Sequence, residues 1–117
     1  MIIWYENKAD KRISMHFLLS EFVCKCGFCA VTAIDTRLVD KLEILRSFIE
    51  KPIIINSGFR CYKHNDDING STYSYHMRGM AVDIANNFDD YELIDSYIKK
   101  IFPFSRMIKE YIHLDVR

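Results

Sequence analysis

Apolar positions along the chain follow two periods, and each predicts its own kind of element. Leu38, Leu42, Leu45 and Ile49 recur at helical spacing, with Val39 and Phe48 widening the stripe. Asp35-Thr36 before them is a helix start, and Pro52 beyond them forces a stop. The run PIIINS, Pro52 to Ser57, is short and β-prone and predicts a buried strand. From Gly58 to Gly79 the chain turns polar and irregular, which predicts a long functional loop. Met80 to Ala85 predicts a second strand, broken by Asn86-Asn87. Ile94, Tyr97, Ile98 and Ile101 share one face of a helix from about Asp90 to Ile101, ended by Pro103. SRMIKEYIHLDVR at the end predicts two short strands joined by a tight turn near Lys109-Glu110. Upstream, the Ser20-Glu21 pair opens a short helical turn, and the cysteines and glycine after it form a knuckle or loop. The expected class is α+β, with helices packed on one side of a small, mostly antiparallel sheet.

At 117 residues the chain fits one domain, 1–117, long enough to bury a core without obligatory staples. Sixteen basic residues balance sixteen acidic ones, which excludes a protein built mainly to coat nucleic acid or an anionic membrane. No apolar run approaches the roughly 20 residues that span a bilayer, so no membrane insertion is expected. The start, MIIWYENKADKR, lacks the long apolar stretch of a secretion signal, which predicts synthesis in a cytoplasm. A monomer is the default.

Three residues stand out as metal-ligand candidates: His76 at the end of the polar loop, Asp83 inside the strand MAVDIA, and His113 in the last strand. Two histidines and one carboxylate leave a fourth position open, as catalytic zinc sites do. Asp83 interrupts an apolar run, and a buried carboxylate needs a partner or a metal. From spacing alone, an Asp that ends a strand or caps a helix stands slightly ahead of a metal ligand, and a lone strand histidine such as His113 is more often a hydrogen-bonded core residue than a ligand. Asp115 falls on the same strand face as His113, as a support for its ring or as a surface ion-pair residue. Glu110 precedes His113 by three residues, so it reaches the same site only from a turn or a bulge. There it would serve as a general base. Arg60, following Ser57-Gly58-Phe59 at a strand's end, is either a surface residue or a grip for a substrate carboxylate.

Ser57-Gly58-Phe59-Arg60, then Ser74-Tyr75-His76-Met77-Arg78-Gly79-Met80-Ala81-Val82-Asp83, then His113-Leu114-Asp115 occur in that order. This resembles the zinc D-Ala-D-Ala carboxypeptidase family, whose patterns are SGYR, SxHxxGxAxD and a late xHxD strand. The family includes D,D-carboxypeptidases, vancomycin-resistance D,D-dipeptidases and phage L-alanyl-D-glutamate endolysins, and shares its fold with the signalling domain of hedgehog proteins. The resemblance runs from about His16 to Arg117, and HFLLSEFVCKCG is similar to the opening of small phage and prophage members. It implies a zinc peptidase of peptidoglycan stem peptides. His76, Asp83 and His113 then match the zinc ligands, and Glu110 the carboxylate that activates water. Arg60 matches the arginine at the substrate carbonyl or oxyanion, and Ser74 a substrate contact. Phe59 stands where tyrosine is common. The Ile-, Lys- and Asn-rich composition suits a phage-type lysin, released to the wall or carried on a virion.

Cys24, Cys26, Cys29 and Cys61 are open to a second, structural zinc ion, to a disulfide in an oxidising place, or to free thiols. The C-x-C-x-x-C spacing is not the usual paired C-x-x-C. A non-catalytic zinc-containing binding module of the same fold is the rival to the enzyme. The motifs leave open which peptide bond is cut. Tyr62, Tyr73, Tyr75 and Tyr111 beside them are the candidate specificity residues.

Overall fold

The computed structural model describes residues 1–117. Two antiparallel sheets and three α-helices build it. The smaller sheet pairs β1 (Ile2–Glu6) with β2 (Val31–Asp35), Ile2 facing Asp35 and Glu6 facing Val31. Between them runs a loop with a single 3-10 turn at Leu19–Glu21, where the Ser20-Glu21 pair predicts one. The larger sheet is built from β3 (Ile55–Ser57), β4 (Ala81–Ala85), β5 (Arg106–Met107) and β6 (Tyr111–Asp115) in the order β3-β4-β6-β5. All its neighbours are antiparallel.

α1 (Thr36–Ile49) and α3 (Tyr91–Ile101) form where the apolar stripes predict them. Each starts at an aspartate whose carboxylate accepts a backbone N–H of the first turn: Asp35 from Arg37, Asp90 from Leu93. The two stripes bury Leu38, Leu42, Leu45, Ile94 and Ile98 against Val82, Ile84, Ile112 and Leu114 of the large sheet. Phe17, Leu19 and Phe22 of the loop close the same core. The helices therefore cover one side of the sheet. Because strand side chains alternate, Asp83, His113 and Asp115 point to its other side.

Two expectations need correction, and one sheet falls outside them. Gly58 to Gly79 is not one irregular loop: it contains α2 (Tyr62–Asp67) and a 3-10 turn at Tyr75–Arg78. α2 has the polar sequence YKHNDD, so no apolar stripe announces it. The strand predicted from Pro52 is paired only over Ile55–Ser57, with a bulge against β4. The small sheet β1-β2 was not expected, since its pairing joins segments some thirty residues apart. No helix is long and apolar enough to cross a membrane.

Asp35 also carries a pH dependence. Its carboxylate is buried and pairs with Arg37 through Nη2 at 2.7 Å and Nε at 3.1 Å. Burial alone would raise this carboxyl, but hydrogen bonds from Arg37 outweigh it and hold it below the ordinary range. A folded-state value below the unfolded one adds stability that is present above about pH 4 and lost as pH falls through the folded value. Urea denaturation should therefore lose midpoint more steeply below pH 4 in the parent than in Asp35→Asn. Parallel profiles would exclude this contribution.

Candidate active site

The site forms where the bare face of the large sheet meets the turn at Tyr75–Arg78. The antiparallel register sets Asp83 directly opposite His113 across β4 and β6, and Ser57 of β3 opposite Asp83 on the other side. His76 comes from the 3-10 turn. That turn starts at Ser74, whose hydroxyl accepts the His76 backbone N–H, and ends at Gly79. Gly79 has a φ of 71°, and a Cβ there would lie 2.3 Å from the Ala33 carbonyl oxygen, so only glycine lets the turn lie against β2.

The candidate ligand atoms of His76, Asp83 and His113 all lie within 4.8 Å of one another. Asp83 Oδ1 is 3.2 Å from His76 Nε2 and 3.0 Å from His113 Nδ1. The outer ring nitrogens fix the tautomers. His76 Nδ1–H donates to the Gly58 carbonyl at 2.8 Å, and His113 Nε2–H donates to Asp115 Oδ2 at 2.9 Å. Reversing either ring would set a lone pair against a carbonyl or a carboxylate oxygen. With both rings neutral and so oriented, two nitrogen lone pairs face one carboxylate oxygen, and three acceptors converge with no proton between them. Such a donor set needs a cation. It also fits zinc in size, because N and O ligands about 2.0–2.1 Å from a tetrahedral ion lie about 3.3 Å apart.

The second ring of contacts is charged. Asp115 is 1% exposed and receives Arg117 Nη2 at 2.8 Å and Nε at 3.0 Å. Arg60 donates through Nη2 to Asp83 Oδ2 at 2.9 Å and through Nε to the Ser57 hydroxyl at 3.0 Å. Where protons rather than a cation fill these contacts, burial would raise the Asp83 carboxyl, but hydrogen bonds from His113 and His76 outweigh it and hold the group well below the usual carboxylate range. Asp115 is likewise lowered, its burial outweighed by Arg117 and His113.

A cleft of about 780 Å³ opens over these residues. Arg60, Ser74, His76, Asp83 and His113 all line it. Glu110 does not: it lies exposed in the bend before β6, next to Tyr111, which does line the cleft. Tyr73 and Tyr75 also face the cleft, whereas Tyr62 does not. Two charged lining residues escaped the sequence reasoning, Arg106 and Arg117. Arg106 sits beside His113 in register on β5 and has no ion-pair partner, while Arg117 stacks over the Tyr75 ring at 4.8 Å. Only the pairing of β5 with β6 could have singled out Arg106.

The sequence model of the family described as Peptidase M15 matches residues 15–115, nearly the whole chain. The protein belongs to the peptidase M15 family. No curated protein matches it. M15 peptidases are zinc-dependent, which agrees with the acceptor geometry at His76, Asp83 and His113. The small α+β architecture is likewise that of an M15 peptidase.

Proposed function

We propose that this M15 peptidase hydrolyses a peptide bond in the stem peptides of peptidoglycan, with zinc held by His76, Asp83 and His113. The observation that carries this reading is the convergence of three acceptors on the floor of an arginine-lined cleft. Zinc bound there would acidify a water molecule and polarise the scissile carbonyl. The remaining roles fall to the chain's own side chains. Arg60 uses two of its N–H groups on Ser57 and Asp83, leaving donors for the oxygen that gains charge as the carbonyl is attacked. Glu110 accepts the proton of the attacking water and returns it to the leaving amine. Ser74 contacts the substrate backbone beside His76.

Arg106 points to the substrate class. It is an exposed guanidinium on the cleft, free of any carboxylate of the protein. Stem peptides carry free carboxylates, and a guanidinium binds a carboxylate through two parallel hydrogen bonds. D,D-carboxypeptidase, L-Ala-D-Glu endopeptidase and cross-link endopeptidase activities all fit such a cleft. The protein would meet its substrate after release to the wall, as a phage-type lysin does, and act as a monomer. One observation favours the rival reading, a zinc-containing binding module: Glu110 lies outside the cleft.

Digestion of purified peptidoglycan, with mass spectrometry of the fragments, separates the two. Zinc-dependent release of peptides with one type of new end supports the enzyme and names the bond. Intact peptidoglycan from several wall chemotypes, treated with protein that holds zinc, supports the module. A further test addresses Asp115. In Asp115→Ala, His113 Nε2–H loses its acceptor and the ring its orientation, so zinc affinity should fall about 10–100-fold. Competition with a chromogenic chelator measures this, and an unchanged affinity would remove Asp115 from the site.

A further inference from the structure

Four thiols take no part in the reaction above. Cys24, Cys26 and Cys29 lie on the loop between the turn at Leu19–Glu21 and β2, and Cys61 directly follows Arg60 and caps α2. Folding brings all four sulfurs within 4.8 Å of one another. Cys24 and Cys61 are 3.8 Å apart and Cys26 and Cys29 3.4 Å apart. Four sulfurs about 2.3 Å from a tetrahedral zinc lie about 3.8 Å from one another, close to this spacing.

The backbone supports negative sulfur. Phe28 N–H donates to Cys26 Sγ at 3.3 Å, Cys61 N–H to Cys24 Sγ at 3.4 Å, and His64 N–H to Cys61 Sγ at 3.4 Å. A neutral thiol is a weak acceptor, so three amides aimed at sulfur match thiolates better than thiols. The sulfurs contact one another and backbone N–H groups, and no lysine or arginine side chain hydrogen-bonds to them, so several thiolates together require a bound cation. Buried Cys24, with Ala33 and Phe59, closes the apolar side.

The cluster also abuts the active site. The Gly58–Cys61 strap supplies the carbonyl that orients His76, and it carries Arg60. Phe59 N–H donates to the Phe22 carbonyl, and a Cβ on Gly58 would lie 2.7 Å from Phe22 Cα. The strap is thus pressed against the same loop that bears three of the cysteines.

We infer that Cys24, Cys26, Cys29 and Cys61 bind a structural zinc ion as four thiolates, tying the cysteine loop to the strap that positions Arg60 and His76. Zinc binding displaces the thiol protons and forms four Zn–S bonds, with no change of oxidation state.

The test uses the full chain purified without chelator. Elemental analysis should give two zinc ions per chain in the parent and one in His76→Ala, so the result does not depend on the proposed reaction. Titrating the thiols of His76→Ala with a mercurial should release that one zinc. Cobalt-substituted His76→Ala should show thiolate-to-cobalt charge-transfer absorption in the near ultraviolet. Hydrogen exchange at residues 58–61 should accelerate at least tenfold on zinc release. A zinc-free His76→Ala, a cobalt protein without charge transfer, or an intact mass lower by the hydrogens of two disulfides would overturn the site. Zinc retained with unchanged exchange at residues 58–61 would overturn its link to the strap.

Discussion

Asp83→Ala is expected to lose hydrolysis and the metal of the His/Asp/His site together. Asp83 Oδ1 faces both imidazole nitrogens, and Oδ2 holds Arg60, so one carboxylate joins both candidate ligand rings to the arginine beside them. Alanine removes a ligand and leaves the guanidinium of Arg60, 12% exposed, without its carboxylate partner. Removing one partner of a buried pair costs about 3–5 kcal/mol, so this variant also loses stability. Asp83→Asn separates the effects: its amide preserves the volume and one oxygen but removes the charge. Both variants should fall in activity by more than the roughly 10–100-fold typical of a ligand's outer partner. Elemental analysis beside a peptide-release assay checks this. Zinc retained in full, with activity within tenfold of the parent, would remove Asp83 from the ligand set.

Glu110→Gln should behave in the opposite way. Glu110 is exposed and makes no hydrogen bond or ion pair, so its replacement leaves the fold within about 0.5 kcal/mol and the zinc content unchanged. Its proposed work is proton transfer, and losing a positioned general base lowers turnover by about 10²–10⁴-fold. The fall belongs in kcat, with KM little changed, because the substitution removes an interaction made in the transition state. Activity within a few-fold of the parent would assign the proton transfer to another group. It would also leave Glu110 as an ordinary turn residue, which is what its placement outside the cleft resembles.

The legible parts of the fold are those with local causes. α1 and α3 announce themselves by apolar stripes that begin at a capping aspartate. The final hairpin shows its turn at Lys109-Glu110 between two β-prone runs. The β1-β2 sheet is set by contacts across the chain, with Trp4 and Val31 exposed, and neither strand alternates strongly enough to stand out. α2 is polar throughout and starts at Cys61, whose sulfur takes the place of the usual hydroxyl or carboxylate cap.

The candidate site divides in the same way. His76, Asp83 and His113 were visible as residue types in a recurring order, and alternation alone put Asp115 on the face of His113. The Gly58 carbonyl that sets the His76 tautomer is a backbone group and leaves no trace in the sequence. The pairing of Arg60 with Asp83 required the register of β3 on β4. The approach of Cys61 to Cys24 spans 37 positions, which no local spacing rule covers.

Anomalous X-ray diffraction from crystals of the zinc-loaded protein, recorded on both sides of the zinc absorption edge, tests the central claim most directly. The account predicts an anomalous peak bonded to His76 Nε2, Asp83 Oδ1 and His113 Nδ1, at the floor of the arginine-lined cleft. Protein that carries zinc by elemental analysis, yet shows no peak between those three atoms, would contradict it.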